Sequence, residues 1–145
     1  MPAVTIVPAD VDAILPLIAD YQRFYGQVPD DDRNRAFFGA LPSGVQFAAM
    51  DGARAVGFVT LYFLPSSLTA ASYCLLNDLY TLSEYRGQGV GRALIEHCRD
   101  YALEKGYPAI EWMTQRENVT AQRLYDSLPA ERTDWAYYAL PTRRG

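Results

Sequence analysis

The segment Arg86-Gly87-Gln88-Gly89-Val90-Gly91-Arg92 constrains this chain more than any other. An apolar stretch, SYCLLNDLYTL (72–82), leads into it and reads as a central strand. After it, Val90, Ala93, Leu94, His97, Cys98, Tyr101 and Ala102 fall on one helical stripe. Three alternating glycines between a strand and a helix let the backbone turn sharply and present successive N–H groups to an anion. The helix adds the partial positive charge of its N-terminus. Arg86 and Arg92 flank the loop as partners for phosphate.

Two common phosphate loops are excluded residue by residue. A P-loop needs Gly-Lys-Ser/Thr at the helix start, and here Gly91 is followed by Arg92-Ala93. A dinucleotide fingerprint needs a third glycine where this chain has Arg92 or Leu94, depending on the starting glycine. Kinase signatures are also absent.

The rest of the chain alternates in period. AVTIV (3–7) reads as a short strand. Val11, Ile14, Leu15, Leu17, Ile18, Tyr21 and Tyr25 follow helical spacing, with Asp10 placed to cap and Gly26 to end the helix. Pro29-Asp30-Asp31-Asp32 opens a second helix that runs to Gly39, since acids suit a helix N-terminus. VQFAAM (45–50), the turn Asp51-Gly52 and AVGFVTLYFL (55–64) form a hairpin, broken by Pro65-Ser66-Ser67. Beyond the glycine loop the pattern predicts a helix ending at Lys105-Gly106, a strand AIEWMTQ (109–115), a helix over 118–127 and a closing strand DWAYYAL (134–140). The order β-α-α-β-β-β-α-β-α-β defines an α/β class with a mixed sheet. With 145 residues and no internal linker, residues 1–145 are expected to be one domain.

Charge and cysteine usage narrow the partners. The net charge is −4, and residues 1–42 hold six acids (Asp10, Asp12, Asp20, Asp30, Asp31, Asp32) against three bases (Arg23, Arg33, Arg35). No cluster of bases supports nucleic acid or an anionic membrane as main partner. The acidity suits a cationic small molecule or basic peptide, or serves only solubility. Cys74 and Cys98 lack metal-ligand spacing, so no metal site is expected and a reducing, cytoplasmic compartment is. No apolar run approaches the roughly 20 residues of a membrane span. The start MPAVTIVPAD lacks the basic residues and apolar stretch of a signal peptide.

The arrangement Arg86-x-x-Gly89-x-Gly91 resembles the acyl-CoA pyrophosphate loop of the GNAT family of N-acetyltransferases. Asn77-Asp78-Leu79-Tyr80-Thr81-Leu82 ahead of it, and Asn118-x-x-Ala121-x-x-Leu124-Tyr125 beyond it, extend the resemblance over nearly the whole chain. It is closest to the diamine/polyamine branch and a yeast-type branch that acetylates histones and polyamines. The family fold has helices on both faces of a mixed sheet and splayed central strands. The cofactor implied is acetyl-CoA.

The resemblance implies a role for each matching residue. Backbone of Leu79, Tyr80 and Thr81 pairs with the pantetheine arm like an added strand. Arg86, Gly87, Gln88, Gly89, Val90, Gly91 and Arg92 hold the pyrophosphate. Asn118 hydrogen-bonds the pantetheine arm and Ala121 leaves it room. Tyr125 is the acid that protonates the leaving thiolate. Tyr21, Gln22 and Asn77 lie on the acceptor side, while Trp112 and Met113 line its far end or pack in the core. The base is open: where the diamine branch carries adjacent carboxylates this chain has Asn77 and Asp78, and an amide cannot take a proton at neutral pH. Asp78 or Glu84 acting through water, or capture of the neutral amine, are the alternatives. The leading expectation is an N-acetyltransferase for a polyamine-like or lysine-like primary amine, working as a homodimer. A protein Lys or N-terminal acetyltransferase and a non-catalytic acyl-CoA sensor are the other readings.

Overall fold

The five strands of the sheet lie in the order in which the chain makes them. The computed structural model describes residues 3–143. β1 (Thr5–Pro8), β2 (Gly44–Asp51), β3 (Arg54–Ser66) and β4 (Ala71–Thr81) are antiparallel neighbours, and β5 (Ile110–Glu111) joins β4 in parallel. Helices α1 (Val11–Phe24) and α2 (Asp31–Gly39) intervene between β1 and β2, and α3 (Val90–Lys105) between β4 and β5. These elements make one compact unit, Met1–Met113. A second unit, Thr114–Gly145, contains α4 (Val119–Asp126).

Strand alternation assigns the two faces of the sheet. Successive side chains of a strand point to opposite sides. Ala48 and Phe58 pack with Ile14, Leu17 and Ile18 of α1. Their neighbours point the other way: Phe47 meets His97 of α3 edge-on at 4.5 Å, and a Cβ on Gly57 would lie 3.2 Å from Val90 and 3.3 Å from Leu94. Helices therefore cover both faces, and each fully buried Ile or Leu contributes about 1.5–3 kcal/mol relative to exposure.

The helix starts follow the acids in different ways. Asp30 caps α2 through its side chain, whose Oδ1 accepts the Arg33 N–H at 3.1 Å. Asp10 caps α1 by backbone alone: its carbonyl accepts Ala13 and Ile14 N–H groups and its carboxylate makes no cap bond. Arg35 of α2 reaches Asp12 of α1 at 3.0 Å and joins the two helices at the surface.

Three boundaries differ from the sequence pattern. β3 passes through Pro65, which pairs with Ser72, because a proline can sit where its nitrogen faces away from the ladder. β5 is two residues long rather than seven. The expected strand at 134–140 is irregular, with Trp135, Tyr137, Tyr138 and Leu140 all more than three-quarters exposed. Alternation reports a two-sided segment but supplies no neighbour, and none of the described strands pairs with this one.

Candidate active site

The site is built around an extra residue in β4. Leu76 pairs with Leu61 and Asp78 with Thr60, so Asn77 has no partner across the ladder and forms a β-bulge. The Cys74 N–H points to the β5 side, bonding the Ala109 carbonyl, while Leu82 N–H points back to Val56 of β3. Regular alternation cannot give both; the bulge reverses the parity between them. Leu79 and Thr81 therefore turn their backbone N–H and C=O groups outward, and Tyr80 turns its own toward β3. β5 pairs only with Cys74 and Leu75, so among the described strands none covers that edge from Leu76 to Thr81. This is the expected splay.

The same bulge brings Asp78 to the α1 face. Asn77 and Asp78 share a side although consecutive, and Asn77 Nδ2 donates to Asp78 Oδ1 at 2.6 Å. Asp78 is buried. Burial pushes its carboxyl above the usual range, opposed by hydrogen bonds from Thr60, Asn77 and Tyr21. Thr60 in turn accepts from Gln46 Nε2 at 2.9 Å. Tyr62, on the same face of β3, has its phenol raised by burial and by the Asp78 charge. Tyr21 packs edge-on against Phe58 at 6.0 Å and Tyr80 at 6.3 Å. A buried carboxylate thus stands at the floor of an aromatic wall beside the open edge.

The glycine loop has the geometry its sequence demands. Gly87 (φ +73°) and Gly89 (φ +85°) occupy the left-handed region that glycine tolerates best. Gly89 caps α3 and its carbonyl accepts the Ala93 N–H at 3.0 Å. The first-turn N–H groups of any α-helix point out of its N-terminus, and those of α3 point toward the loop. Arg86 folds back, its Nε donating to the Thr81 carbonyl at 2.9 Å and its guanidinium lying 5.4 Å from the Tyr80 ring centroid. Gln88 Nε2 bonds the Glu84 carbonyl at 3.0 Å. Arg92 lies 3.6 Å from Glu96 one turn along the helix. Left-handed glycines, a helix N-terminus and an arginine at the end of an open strand edge fit a diphosphate followed by an extended amide chain, the two parts of coenzyme A.

The remaining predicted residues divide between the two units. Gln22 and Asn34 exchange two amide hydrogen bonds of 2.9 Å, which tie α1 to α2 with Asn34 buried. Trp112 is half-buried just after β5, and Met113 is 67% exposed. Glu84 pairs with Arg54 at 2.8 Å on the surface. In the second unit Asn118 caps α4, its Oδ1 accepting the Ala121 N–H at 3.1 Å, and Tyr125 lies half-buried two turns on. The described residues contain no metal-ligating cluster, and none of their helices is long and apolar enough to cross a membrane.

Sequence reasoning missed Thr60, Gln46 and Asn34. Thr60 and Gln46 are polar residues within apolar strands, and that exception was their one signal; Asn34 lies in the charged run Asp31–Arg35 and left none.

The fold is that of an acyltransferase scaffold. Residues 12–128 match the profile of the Acetyltransferase (GNAT) family, and the chain belongs to that family as a GNAT-type N-acetyltransferase. It is 31% identical over 136 residues to an uncharacterized N-acetyltransferase of Bacillus subtilis, covering 91% of each chain. It is 30% identical over 123 residues to the thialysine N-epsilon-acetyltransferase of Sus scrofa, covering 78% of this chain and 72% of the other. A crystal structure of a probable acetyltransferase superposes with a TM-score of 0.86 at 29% identity, over 97% of this chain and 99% of that one.

Proposed function

We propose that this protein moves an acetyl group from acetyl-CoA to a primary amine on a polyamine-like or lysine-like small molecule by direct transfer. The observation that carries the reading is the buried Asp78 carboxylate, bonded by Tyr21 beside the open edge of β4. The similarity to a thialysine acetyltransferase supports the lysine-like acceptor.

Acetyl-CoA supplies the acyl thioester. The outward backbone of Leu79 and Thr81 binds its pantetheine arm, and Gly87 to Arg92 with Arg86 bind its diphosphate. Asn118 and Ala121 complete that side by family resemblance. Tyr21, Gln22, Asn77 and Trp112 form the acceptor side, where aromatic faces and acids favour ammonium. An amine must be neutral to attack, so Asp78 accepts its proton; the burial that raises the carboxyl makes it a better base than an exposed aspartate. Tyr125 gives its phenolic proton to the departing sulfur. The two free, buried cysteines suit a reducing cytoplasm, and the exposed aromatic segment 134–140 suits a homodimer contact.

Thiol release from acetyl-CoA, assayed against thialysine, polyamines, aminoglycosides, amino acids and lysine peptides, tests the reading. Turnover with small primary amines is expected. Turnover confined to peptides would make this a protein acetyltransferase, and tight acetyl-CoA binding without thiol release would make it a sensor.

A further inference from the structure

Four polar side chains are buried among the described residues: Asn34, Gln46, Thr60 and Asp78. Three of them form one chain that runs across β2, β3 and β4. Gln46 Nε2 donates to Thr60 Oγ1 at 2.9 Å, and Thr60 bonds the Asp78 carboxylate. A carboxylate only accepts, so the single hydroxyl proton of Thr60 points at Asp78. Gln46 fills an acceptor position of the same hydroxyl and fixes that direction. Thr60 is fully buried and so reaches an acceptor amine only through Asp78.

We propose that Thr60, fixed by Gln46, is a positioning residue that sets the aim and the proton affinity of the Asp78 carboxylate. The inference rests on the reading of Asp78 as the base. A hydrogen bond donated to the ionised form favours that form, so Thr60 holds down a carboxyl that burial drives up. The groups facing Asp78 are Tyr21 from α1, Thr60 and Tyr62 from β3, and Asn77 from β4, with Gln46 of β2 behind Thr60. Tyr62 is a neighbour whose ionised form would oppose the charge of Asp78, and its raised phenol stays neutral at physiological pH. The base is thereby tuned by neutral donors rather than by a cation. Its proton affinity then depends on the register between β3 and β4, which the bulge at Asn77 sets.

Two measurements on the intact chain test this. The first follows the Asp78 carboxyl carbon by 13C NMR against pH and needs no acceptor; the resonance is assigned by its loss in Asp78→Asn. The second is the pH profile of kcat/KM with thialysine as acceptor. Thr60→Val should move both the carboxyl titration and the acid limb upward by about one pH unit. Thr60→Ser, which keeps the hydroxyl, should restore both. Gln46→Leu, which frees the hydroxyl to turn, should give a smaller rise in the same direction and serves if Thr60→Val does not fold. An unmoved titration in Thr60→Val and Gln46→Leu, with the acid limb lost in Asp78→Asn, overturns the Thr60 assignment alone. An acid limb that survives Asp78→Asn overturns the reading of Asp78 as base, and this inference with it.

Discussion

The Tyr85 hydroxyl donates to the Asp51 carboxylate over 2.6 Å and so ties the turn ahead of the glycine loop to the tip of the β2–β3 hairpin. Arg54 adds to the tie, bonding Glu84 at 2.8 Å and lying 5.7 Å from the Tyr85 ring centroid. The ion pair is exposed and contributes little; the partly buried phenol–carboxylate bond is the stronger anchor. Tyr85→Phe removes it while keeping the ring. The expected result is a rise of about threefold in KM for acetyl-CoA, the size of one modest hydrogen bond, with kcat unchanged. Equal KM values in both proteins would show that the hairpin does not hold the loop.

Tyr125→Phe tests the acid. Without a proton donor the thiolate leaves unprotonated, and kcat should fall by about 10²–10⁴-fold. Acetyl-CoA affinity, measured by calorimetry, should stay within about twofold, since one hydroxyl among many contacts is lost. Unchanged turnover would remove Tyr125 from the chemistry.

Asp78 should tax stability at neutral pH. Its folded carboxyl is raised above the unfolded value, so the native state holds the proton more tightly. Stability from this group is complete below the unfolded value and is lost as pH rises through the folded one. Asp78→Asn has no such loss. Its melting temperature should gain on the parent's as pH rises from about 4 to 7. A constant difference across that range would mean that Asp78 is not strained by burial.

At Gly57, β3 lies close to both β4 and α3. A Cβ there would lie 3.0 Å from the Tyr80 carbonyl oxygen and 3.2 Å from Val90. Backbone cannot yield as a flexible side-chain end does, so Gly57→Ala should destabilise by about 1–3 kcal/mol in urea unfolding. A neutral result would mean that α3 shifts freely on the sheet.

What the sequence disclosed was local. The glycine loop, the Asp51-Gly52 hairpin and the stripes of α1 and α3 each depend on neighbours a few residues apart, and all were readable. The bulge at Asn77 was not, because it exists only in the register between β3 and β4. Asp78 was singled out by family resemblance, but its donors Thr60 and Gln46 lie on other strands and leave no spacing motif. The segment 134–140 failed for the converse reason: its alternation is real, yet a strand also needs a partner that no local pattern supplies. The roles proposed for Tyr125 and Asn118 rest on motif position; geometry within α4 adds only that Asn118 caps the helix.

The bulge also fixes what variation this region can bear. The side chain at position 77 is exposed and has no cross-strand partner, so its bulk is open to change, while its amide serves Asp78. The residue count is less free. Loss of that one codon in frame would restore regular alternation through β4. Asp78 would still face Thr60, but the bend that the extra residue puts into the strand, just past its pairing with β5, would straighten. Homologous chains can therefore vary the side chain at this position more readily than the length of the strand, because the extra residue sits where β4 and β5 part.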